Sequence, residues 1–367
     1  MAAINDIPQK PAIAILGGVG FVGRNLVHYL VSLNLCSDIY VIDKALPSMS
    51  FLSKEHQNSF SKIKFKQLNL CNPNACQEFF SNNNIDVIVN LAAETKYGQS
   101  ESKGYWASLE ISVKLFIEVS TGQVYDPDKK PSKENSKLKP WTFIARYKLQ
   151  VENLLEQTEN LPWIILRPAI IYGPGDLTGI SNTLSLNTKV PRLTCGAVYK
   201  ELKQKMEFLW TKDLKINTVH VNDVARAIFH VIHNGKRNEI YNLVDHANTD
   251  QENVNSCIRD IFKIETGFHG SLISNMAKLS LTSVVDEAND KHMKPWSTIL
   301  TRADISYSPI TPYLDKELLS NNSLCLDGTK IEQTGFEYEK NTLSRELILE
   351  SLQYFVDQNL FPDYLIK

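Results

Sequence analysis

The sequence lacks the features that mark membrane proteins, nucleic-acid-binding proteins and metalloproteins. No apolar run approaches the ~18 residues of a membrane-spanning helix, and the first ten residues contain no apolar signal core. The formal net charge of −2 provides no basic field for nucleic acid or for an anionic membrane surface. We therefore expect a cytoplasmic protein that binds neither nucleic acid nor membranes.

Cysteine is scarce and scattered. The six cysteines form no CxxC pair, and no histidine lies near Cys71 and Cys76, the two closest in sequence. This spacing is typical of free thiols in a reducing compartment and not of a disulfide framework or a metal centre. We predict no metal site.

Short β-rich runs alternate with helical patterns through the first half of the chain. Runs such as AIAIL and DVIVNLA are continuously apolar, as expected for strands that are covered on both faces. The pattern predicts an α/β fold, a doubly wound parallel Rossmann sheet with a smaller, interleaved C-terminal substrate lobe. The expected strands are Ala12–Leu16, Ile39–Ile42, Ile63–Leu68, Val87–Leu91, Leu115–Val119 and Trp163–Arg167.

The boundary between the two predicted units is interleaved. We expect residues 1–172 to form the dinucleotide-binding domain, with residues 215–248 returning to it, and residues 173–214 and 249–367 to form the second lobe. Within that lobe, the segment Ser283–Trp296 (SVVDEANDKHMKPW) carries clustered charges that either line a substrate mouth or cover a solvated helix ending at Pro295.

A glycine-rich loop connects the first strand to an amphipathic helix. The loop reads GGVGFVG from Gly17 to Gly23, and Leu26, Leu30 and Leu33 follow at helical spacing. Glycines in this position allow a tight turn and a close approach of the backbone to a pyrophosphate, which then rests on the helix N-terminus. This context predicts a dinucleotide site.

Asp43 ends the second predicted strand, where a carboxylate can accept hydrogen bonds from both ribose hydroxyls of the dinucleotide. A carboxylate repels the 2′-phosphate of NADP, whereas the adjacent Lys44 would attract it. On balance the sequence favours NAD as the cofactor.

With these motifs, the chain resembles the extended short-chain dehydrogenase/reductase superfamily, in its NAD-dependent epimerase/dehydratase group. That group includes nucleotide-sugar epimerases and 3β-hydroxysteroid dehydrogenases. The resemblance extends over almost the whole chain. It is carried by LGGVGFVG (Leu16–Gly23), NLAAET (Asn90–Thr95), VSTGQVY (Val119–Tyr125), LRPAIIYGPGD (Leu166–Asp176), VHVNDVARAI (Val219–Ile228) and LDGTKIEQTGF (Leu326–Phe336).

The resemblance also implies which residues contact the dinucleotide. The adenine would lie between Asn69 and Leu70, the former replacing the aspartate usual in the family. The full predicted set comprises Gly17, Gly20, Phe21, Val22, Gly23, Asp43, Lys44, Asn69, Leu70, Leu91, Ala92, Ala93, Lys148, Pro168 and Ile171.

In this family a Ser/Thr, a tyrosine and a lysine four residues after the tyrosine carry the chemistry, and Thr121 matches the first of these. If Lys148 is the family lysine, the tyrosine position holds Ile144; if Tyr147 is the tyrosine, the lysine position holds Val151. We favour the first register, because Glu152 follows Lys148 at the spacing common in the family. Adjacent helical residues point about 100° apart, so Tyr147 does not share a face with Lys148.

Two further departures concern the substrate. Sugar 4,6-dehydratases of this superfamily follow the threonine with Asp-Glu, but Gly122 and Gln123 stand here. Nucleotide-sugar enzymes also commonly carry an arginine for the diphosphate, where only Lys215 is available. The expected crossover helix Glu101–Ser112 is shorter than usual in the family. The sequence therefore leaves open whether the chain forms a dimer through this helix.

Two hypotheses follow. In the first, the chain binds NAD but is non-catalytic or catalytically altered. In the second, it is an active NAD-dependent oxidoreductase or epimerase on a carbonyl or secondary alcohol, sugar-like or steroid-like. That enzyme would use Thr121, Lys148 and a relocated tyrosine, either Tyr97 or Tyr125. The sequence leaves open whether the partner is a small-molecule substrate or another protein.

Overall fold

A computed structural model of the chain describes residues 7–93, 113–176 and 189–367. The expected crossover helix Glu101–Ser112 and Tyr97 lie outside the described residues. The strands are β1 (Ala12–Leu16), β2 (Asp38–Asp43), β3 (Lys64–Gln67), β4 (Val87–Asn90), β5 (Leu115–Val119), β6 (Trp163–Pro168), β7 (Ile170–Tyr172), β8 (Met206–Phe208), β9 (Thr218–His220), β10 (Glu239–Leu243) and β11 (Thr266–Phe268).

Seven of these strands form one parallel sheet in the order β10-β6-β5-β4-β1-β2-β3. The strand order reverses beside β1, which places the end of β1 and the glycine loop at the switch point where doubly wound sheets bind ligands. The predicted α/β class with a doubly wound parallel sheet is confirmed.

Helices cover both faces of the sheet and build the remainder of the chain. They are α1 (Phe21–Ser32), α2 (Lys54–Phe60), α3 (Pro73–Ser81), α4 (Phe143–Gln157), α5 (Lys189–Leu202), α6 (Val221–Asn234), α7 (Gln251–Phe262), α8 (Ser271–Leu279), α9 (Leu281–Arg302), α10 (Thr329–Glu332) and α11 (Arg345–Val356). Among the described residues, none of these helices is long and apolar enough to cross a membrane.

The central strands are buried on both faces, which explains their continuous apolar runs. In β1, Ile13 and Ile15 enter a large apolar core on one face, whereas Ala14 and Leu16 enter a smaller one on the other. All four side chains are at most 1% exposed. Since successive strand residues point to opposite faces, a strand covered twice must be apolar at every position.

The second half of the chain adds a strand to the main sheet and forms a separate pair of strands. β10 pairs with β6 at the edge of the main sheet, while β8 and β11 form a separate two-stranded pair near α5 and α7. One expectation here is wrong: the helix does not end at Pro295 but continues as α9 to Arg302. Trp296 and Ile299 are buried beyond the proline, and this packing holds the helix together. The carbonyl that the proline leaves without its helical donor belongs to the exposed Lys291.

Candidate active site

Of the four glycines in the loop, two are required by the loop's own backbone, whereas Gly20 is not. Gly17 has a φ of +72°, and a Cβ there would lie 2.9 Å from the Ala92 backbone. A Cβ on Gly23 would lie 2.5 Å from the Cα of Gly18. At Gly20, by contrast, a Cβ would approach only the Gly17 carbonyl oxygen, at 3.2 Å. The outer side of the loop is therefore open at Gly20, as a bound pyrophosphate requires.

The N-terminus of α1 is prepared for an anion. No side chain caps it, and its first turn contains no acidic residue. Its free amide groups and the helix dipole therefore favour a negatively charged ligand at this end. Phe21 and Val22 in the first turn are both buried and pack the helix on the sheet. The open loop and the uncapped helix together fit the diphosphate of a dinucleotide.

Asp43 lies at the end of β2 and contacts the loop directly. Its Oδ2 accepts a hydrogen bond from the backbone N–H of Val19 at 3.1 Å, and its Oδ1 accepts one from Ala45 at 3.0 Å. The residue is partly exposed, and Lys44 is exposed. The carboxylate thus holds the loop in place from the position predicted for the ribose.

The other predicted cofactor residues follow the ends of neighbouring strands. Asn69 is exposed, and its Oδ1 accepts a hydrogen bond from Cys71 N at 3.0 Å, while Leu70 is half-buried. Leu91, Ala92 and Ala93 follow β4 and are buried or half-buried. Pro168 ends β6, and Ile171 lies in the larger apolar core, fully buried.

Arg24 was not predicted from the sequence, although it anchors the glycine loop. Its guanidinium is buried and donates to the Gly20 carbonyl oxygen at 3.3 Å and to that of Val19 at 3.0 Å. It also donates to the Phe51 carbonyl oxygen at 3.3 Å and to the Tyr354 hydroxyl at 3.2 Å. One side chain therefore ties the loop to the C-terminal helix α11. An arginine on the apolar face of a helix was the signal in the sequence.

Helix α4 carries the position expected for the tyrosine and lysine of the family. Ile144 and Lys148 lie one turn apart and are each 2% exposed, so both side chains face the interior. Tyr147 is half-buried, and its ring lies edge-on to Phe143 at 4.8 Å between centroids. Ile144 presents only methyl and methylene groups, which neither accept nor donate a proton.

Lys148 forms a buried ion pair that the sequence analysis missed. Its Nζ lies 2.8 Å from Glu118 Oε1 and donates to the Ala92 carbonyl oxygen at 3.0 Å. Asn90, the direct neighbour of Glu118 across β4 and β5, donates to Glu118 Oε2 at 2.6 Å. Burial raises the pKa of Glu118, while Lys148 and Asn90 act against that rise. A lone glutamate in a doubly covered strand was the signal that a cation had to lie opposite.

A second buried ion pair joins α4 to β6. Arg167 donates to both carboxylate oxygens of Glu152 from Nε at 3.2 Å, and Ser120 donates to the same carboxylate. The Tyr125 hydroxyl accepts from Arg167 Nη1 at 2.9 Å and donates to Asn242 Oδ1 at 2.8 Å. Burial raises the pKa of Tyr125 to about 12. Its hydroxyl is thus engaged in the core.

The residues after Thr121 serve the packing of the site. Thr121 is buried, and its Oγ1 accepts a hydrogen bond from Gln123 N at 3.2 Å. The Gln123 side chain in turn accepts from Thr142, the N-cap of α4, at 2.7 Å. A Cβ on Gly122 would lie 2.6 Å from a methyl group of Leu326. This segment therefore fixes the start of α4.

Lys215, the candidate for a diphosphate contact, contacts other groups of the protein. Its Nζ lies 3.5 Å from Asp250 Oδ2 and donates to the Asn248 carbonyl oxygen at 3.2 Å. Within the part of the chain that the structure describes, no cluster of three or more His, Cys, Asp or Glu side chains could hold a metal ion.

Known proteins with similar sequences include dTDP-glucose 4,6-dehydratases. A probable dTDP-glucose 4,6-dehydratase from Sinorhizobium fredii is 24% identical over 259 residues, which are 63% of this chain and 70% of that protein. The human dTDP-D-glucose 4,6-dehydratase is 25% identical over 251 residues, covering 63% of this chain and 68% of the relative.

Solved structures share the fold over nearly the whole chain. The dTDP-glucose 4,6-dehydratase of Bacillus anthracis, in complex with NAD, aligns with a TM-score of 0.63 at 17% identity, covering 97% of this chain and 99% of that one. The UDP-glucuronic acid 4-epimerase of Bacillus cereus, in complex with UDP-glucuronic acid and NAD, aligns at 0.64 and 16% identity, covering 94% and 99%. The model of the NAD dependent epimerase/dehydratase family matches residues 13–243. The predicted superfamily is confirmed: the chain belongs to the NAD-dependent epimerase/dehydratase family.

Proposed function

We propose that this protein binds NAD but has lost the proton-transfer chemistry of its family. The observation that carries the proposal is the surroundings of Lys148. Its ammonium group is buried against Glu118, and the residue one turn earlier on the same face is Ile144. In the favoured register of the motif, neither of the two positions offers a group that exchanges protons with a substrate.

The physical reason lies in what a catalytic tyrosine needs. A phenol has a pKa of about 10, so it serves as a base near neutral pH only when a nearby cation lowers that pKa. Here the tyrosine is replaced, and the charge of Lys148 is balanced by a carboxylate 2.8 Å away. Loss of a positioned general acid/base typically costs about 10²–10⁴ in rate.

The residues around the glycine loop support binding of the cofactor itself. The open side of Gly20 and the uncapped N-terminus of α1 would hold the diphosphate, and Asp43 would accept hydrogen bonds from the adenosine ribose. NAD, when bound, supplies a hydride acceptor. The family assignment supports the same cofactor.

The second candidate is an active oxidoreductase or epimerase that uses Thr121, Lys148 and a relocated tyrosine. The hydroxyl of Tyr125 already donates to Asn242 and accepts from Arg167, and burial raises its pKa to about 12. These contacts disfavour Tyr125 as a proton carrier. The first proposal therefore leads.

We do not propose for this chain the sugar 4,6-dehydratase activity that its relatives are named for. Gly122 and Gln123 stand where sugar 4,6-dehydratases carry their acid pair, and the Gln123 amide is hydrogen-bonded to Thr142. We expect no 4-keto-6-deoxy product from a nucleotide sugar above a control without enzyme. Such a product, detected by mass spectrometry, would contradict this statement.

The proposal is tested by separating binding from turnover. We expect calorimetry to show saturable NAD binding, while a panel of secondary alcohols, sugar nucleotides and steroids gives no reduction of NAD. In Ile144→Tyr, which restores the hydroxyl beside Lys148, any hydride transfer should rise above the wild-type level. Sustained reduction of NAD by the wild-type protein with any substrate overturns the proposal, and so does an absence of NAD binding. Mass spectrometry of small molecules released from the purified protein identifies any ligand that stays bound. We also propose that the protein has a partner, which is either a small molecule or a second protein chain.

A further inference from the structure

Arg24 is a buried cation beside the glycine loop whose hydrogen-bond acceptors are all neutral. Its side chain is 3% exposed and donates to the carbonyl oxygens of Gly20, Val19 and Phe51 and to the hydroxyl of Tyr354. Among the residues that the structure describes, no carboxylate forms an ion pair with it. A buried charge is costly unless an opposite charge compensates it. The uncompensated charge of Arg24 therefore favours an anion near the glycine loop.

Arg24 also fixes the direction of an amide group at the start of α1. The Gly20 carbonyl oxygen, which accepts from Arg24 Nε at 3.3 Å, belongs to the peptide group whose N–H is that of Phe21. In a trans peptide the C=O and N–H groups point in opposite directions, and the first N–H groups of a helix have no partner within it. The Phe21 N–H is therefore turned away from Arg24, as a donor to an anion at the helix N-terminus.

The hydroxyl of Tyr354, on the C-terminal helix α11, holds the guanidinium in this place. It accepts from Arg24 Nη1 at 3.2 Å and from Ser53 N at 3.3 Å, and it donates to the Phe51 carbonyl oxygen at 2.9 Å. His56 Nδ1 lies 3.4 Å from the same hydroxyl and closer, at 3.0 Å, to Ser53 Oγ. A phenol offers one donor and two acceptor positions, so this hydroxyl is fully engaged at the point where the three segments meet.

The same hydroxyl holds the segment that follows Asp43. Phe51 in this segment has a φ of +49°, a left-handed conformation that is unusual for a bulky residue and persists only where the surroundings hold it. Its carbonyl oxygen accepts from Tyr354 and Arg24, and its ring stacks on Tyr307 with 6.0 Å between centroids. Tyr354 thus joins α11 both to the glycine loop and to the segment beyond the carboxylate that is predicted to bind the ribose.

We propose that Tyr354 is a positioning residue for the diphosphate of the dinucleotide, and that binding of the dinucleotide is coupled through Arg24 to the packing of α11. Tyr354 acts on the ligand only through Arg24, which orients the loop and supplies positive charge behind it. The inference rests on the proposed binding of NAD and adds to it a residue 330 positions from Arg24 in the sequence. Coupling of this kind is reciprocal, so a bound dinucleotide stabilises α11 as much as Tyr354 strengthens binding.

The first test measures the affinities of NAD and ADP by isothermal titration of the full-length protein. Tyr354→Phe removes the hydroxyl and keeps the ring beside Gly175, and Tyr313→Phe at a 53% exposed position is the matched control. We expect Tyr354→Phe to weaken both ligands about five- to tenfold, as for loss of a hydrogen bond to a charged group. In the Arg24→Met background the same substitution should have no further effect, because Tyr354 acts through Arg24.

Hydrogen exchange provides a second readout, one that a purely structural role of Tyr354 does not change. Saturating NAD should slow the exchange of backbone amides in α11 of the wild-type protein, by the reciprocity of the coupling. In Tyr354→Phe, at NAD concentrations that again saturate the protein, this slowing should be lost. The amides of α8 serve as the internal reference.

The outcomes separate this inference from the proposed function. A wild-type protein that does not bind NAD contradicts both. If the wild type binds NAD, the inference alone is overturned by equal affinities in Tyr354→Phe, by a loss for NAD that ADP does not share, or by additive effects of the substitutions at Arg24 and Tyr354. Circular dichroism checks that each variant is folded. If Tyr354→Phe does not fold, the wild-type exchange experiment decides, and unchanged exchange in α11 on NAD binding overturns the inference.

Discussion

Replacing Lys148 by methionine breaks the buried pair with Glu118 and leaves the carboxyl group in the centre of the sheet. Glu118 is fully buried, and Asn90 remains as its one neutral donor. Without the cation, the pKa of Glu118 rises further above its ordinary value, because burial is then opposed only by that hydrogen bond. The folded variant therefore holds a proton on Glu118 up to a higher pH than the wild-type protein does.

The sign and size of the pH effect follow from the protons bound in each state. Above the unfolded pKa of about 4.3, the native variant retains a proton that the unfolded chain has released, so stability falls as pH rises, by at most about 1.4 kcal/mol per pH unit. Near pH 5 the free energy of unfolding should be about 1–2 kcal/mol lower than in wild type, because the hydrogen bonds and packing of Lys148 are lost. Towards pH 7 the loss grows, and we expect it to approach the range of about 3–5 kcal/mol for removing one partner of a buried pair.

Urea unfolding at these two pH values measures the effect, with Lys54→Met at an exposed helical position as the control. The double variant Glu118→Gln/Lys148→Met has no carboxyl group to titrate here and should lose the added pH dependence. If Lys148→Met unfolds outright at neutral pH, this double variant still folds by the same reasoning. If the urea midpoint of Lys148→Met equals that of wild type at both pH values, the buried ion pair is refuted.

Three further expectations concern the glycine loop. Gly20→Val should abolish NAD binding in titration while thermal unfolding stays cooperative, because a side chain there meets only one carbonyl oxygen of the protein; unchanged affinity would show that the loop is only a turn. Asp43→Ala should narrow the preference for NAD over NADP by loss of the carboxylate, and a wild-type protein that binds NADP equally well would contradict the role given to Asp43. Arg24→Met should weaken NAD binding at least about tenfold, because it releases the loop carbonyls that Arg24 holds. The partly exposed Arg345→Met is the control, and equal NAD affinities in the two variants would argue against the anchoring role of Arg24.

Most of the sheet could be predicted because its signals are local. The apolar runs of β1, β4 and β5 and the glycines between β1 and α1 are each encoded within a few residues. The end of α9 could not, since a proline normally ends a helix and only the burial of Trp296 and Ile299 shows why this one continues.

The candidate site was predictable to the extent that it follows the family motifs. The positions of Ile144 and Lys148 on one helical face follow from their spacing. Their electrostatics do not, because Glu118 lies 30 residues away in sequence and meets Lys148 only after β5 and α4 pack together. Arg24 is similar: its contact with Tyr354 joins residues 330 positions apart. Buried charges report a partner, but the sequence alone does not name it.

Three polar contacts fix the position of helix α4 against the sheet. Thr142 at its start is tied to Gln123, Lys148 to Glu118 on β5, and Glu152 to Arg167 on β6. Two of these are buried ion pairs, which are costly to form and costlier to break on one side only. A helix fixed at its start and at two further turns has little freedom to bring another side chain to the face that Ile144 occupies. In our proposal, the helix keeps its placement because its role is to complete a dinucleotide-binding surface and not to act on a substrate.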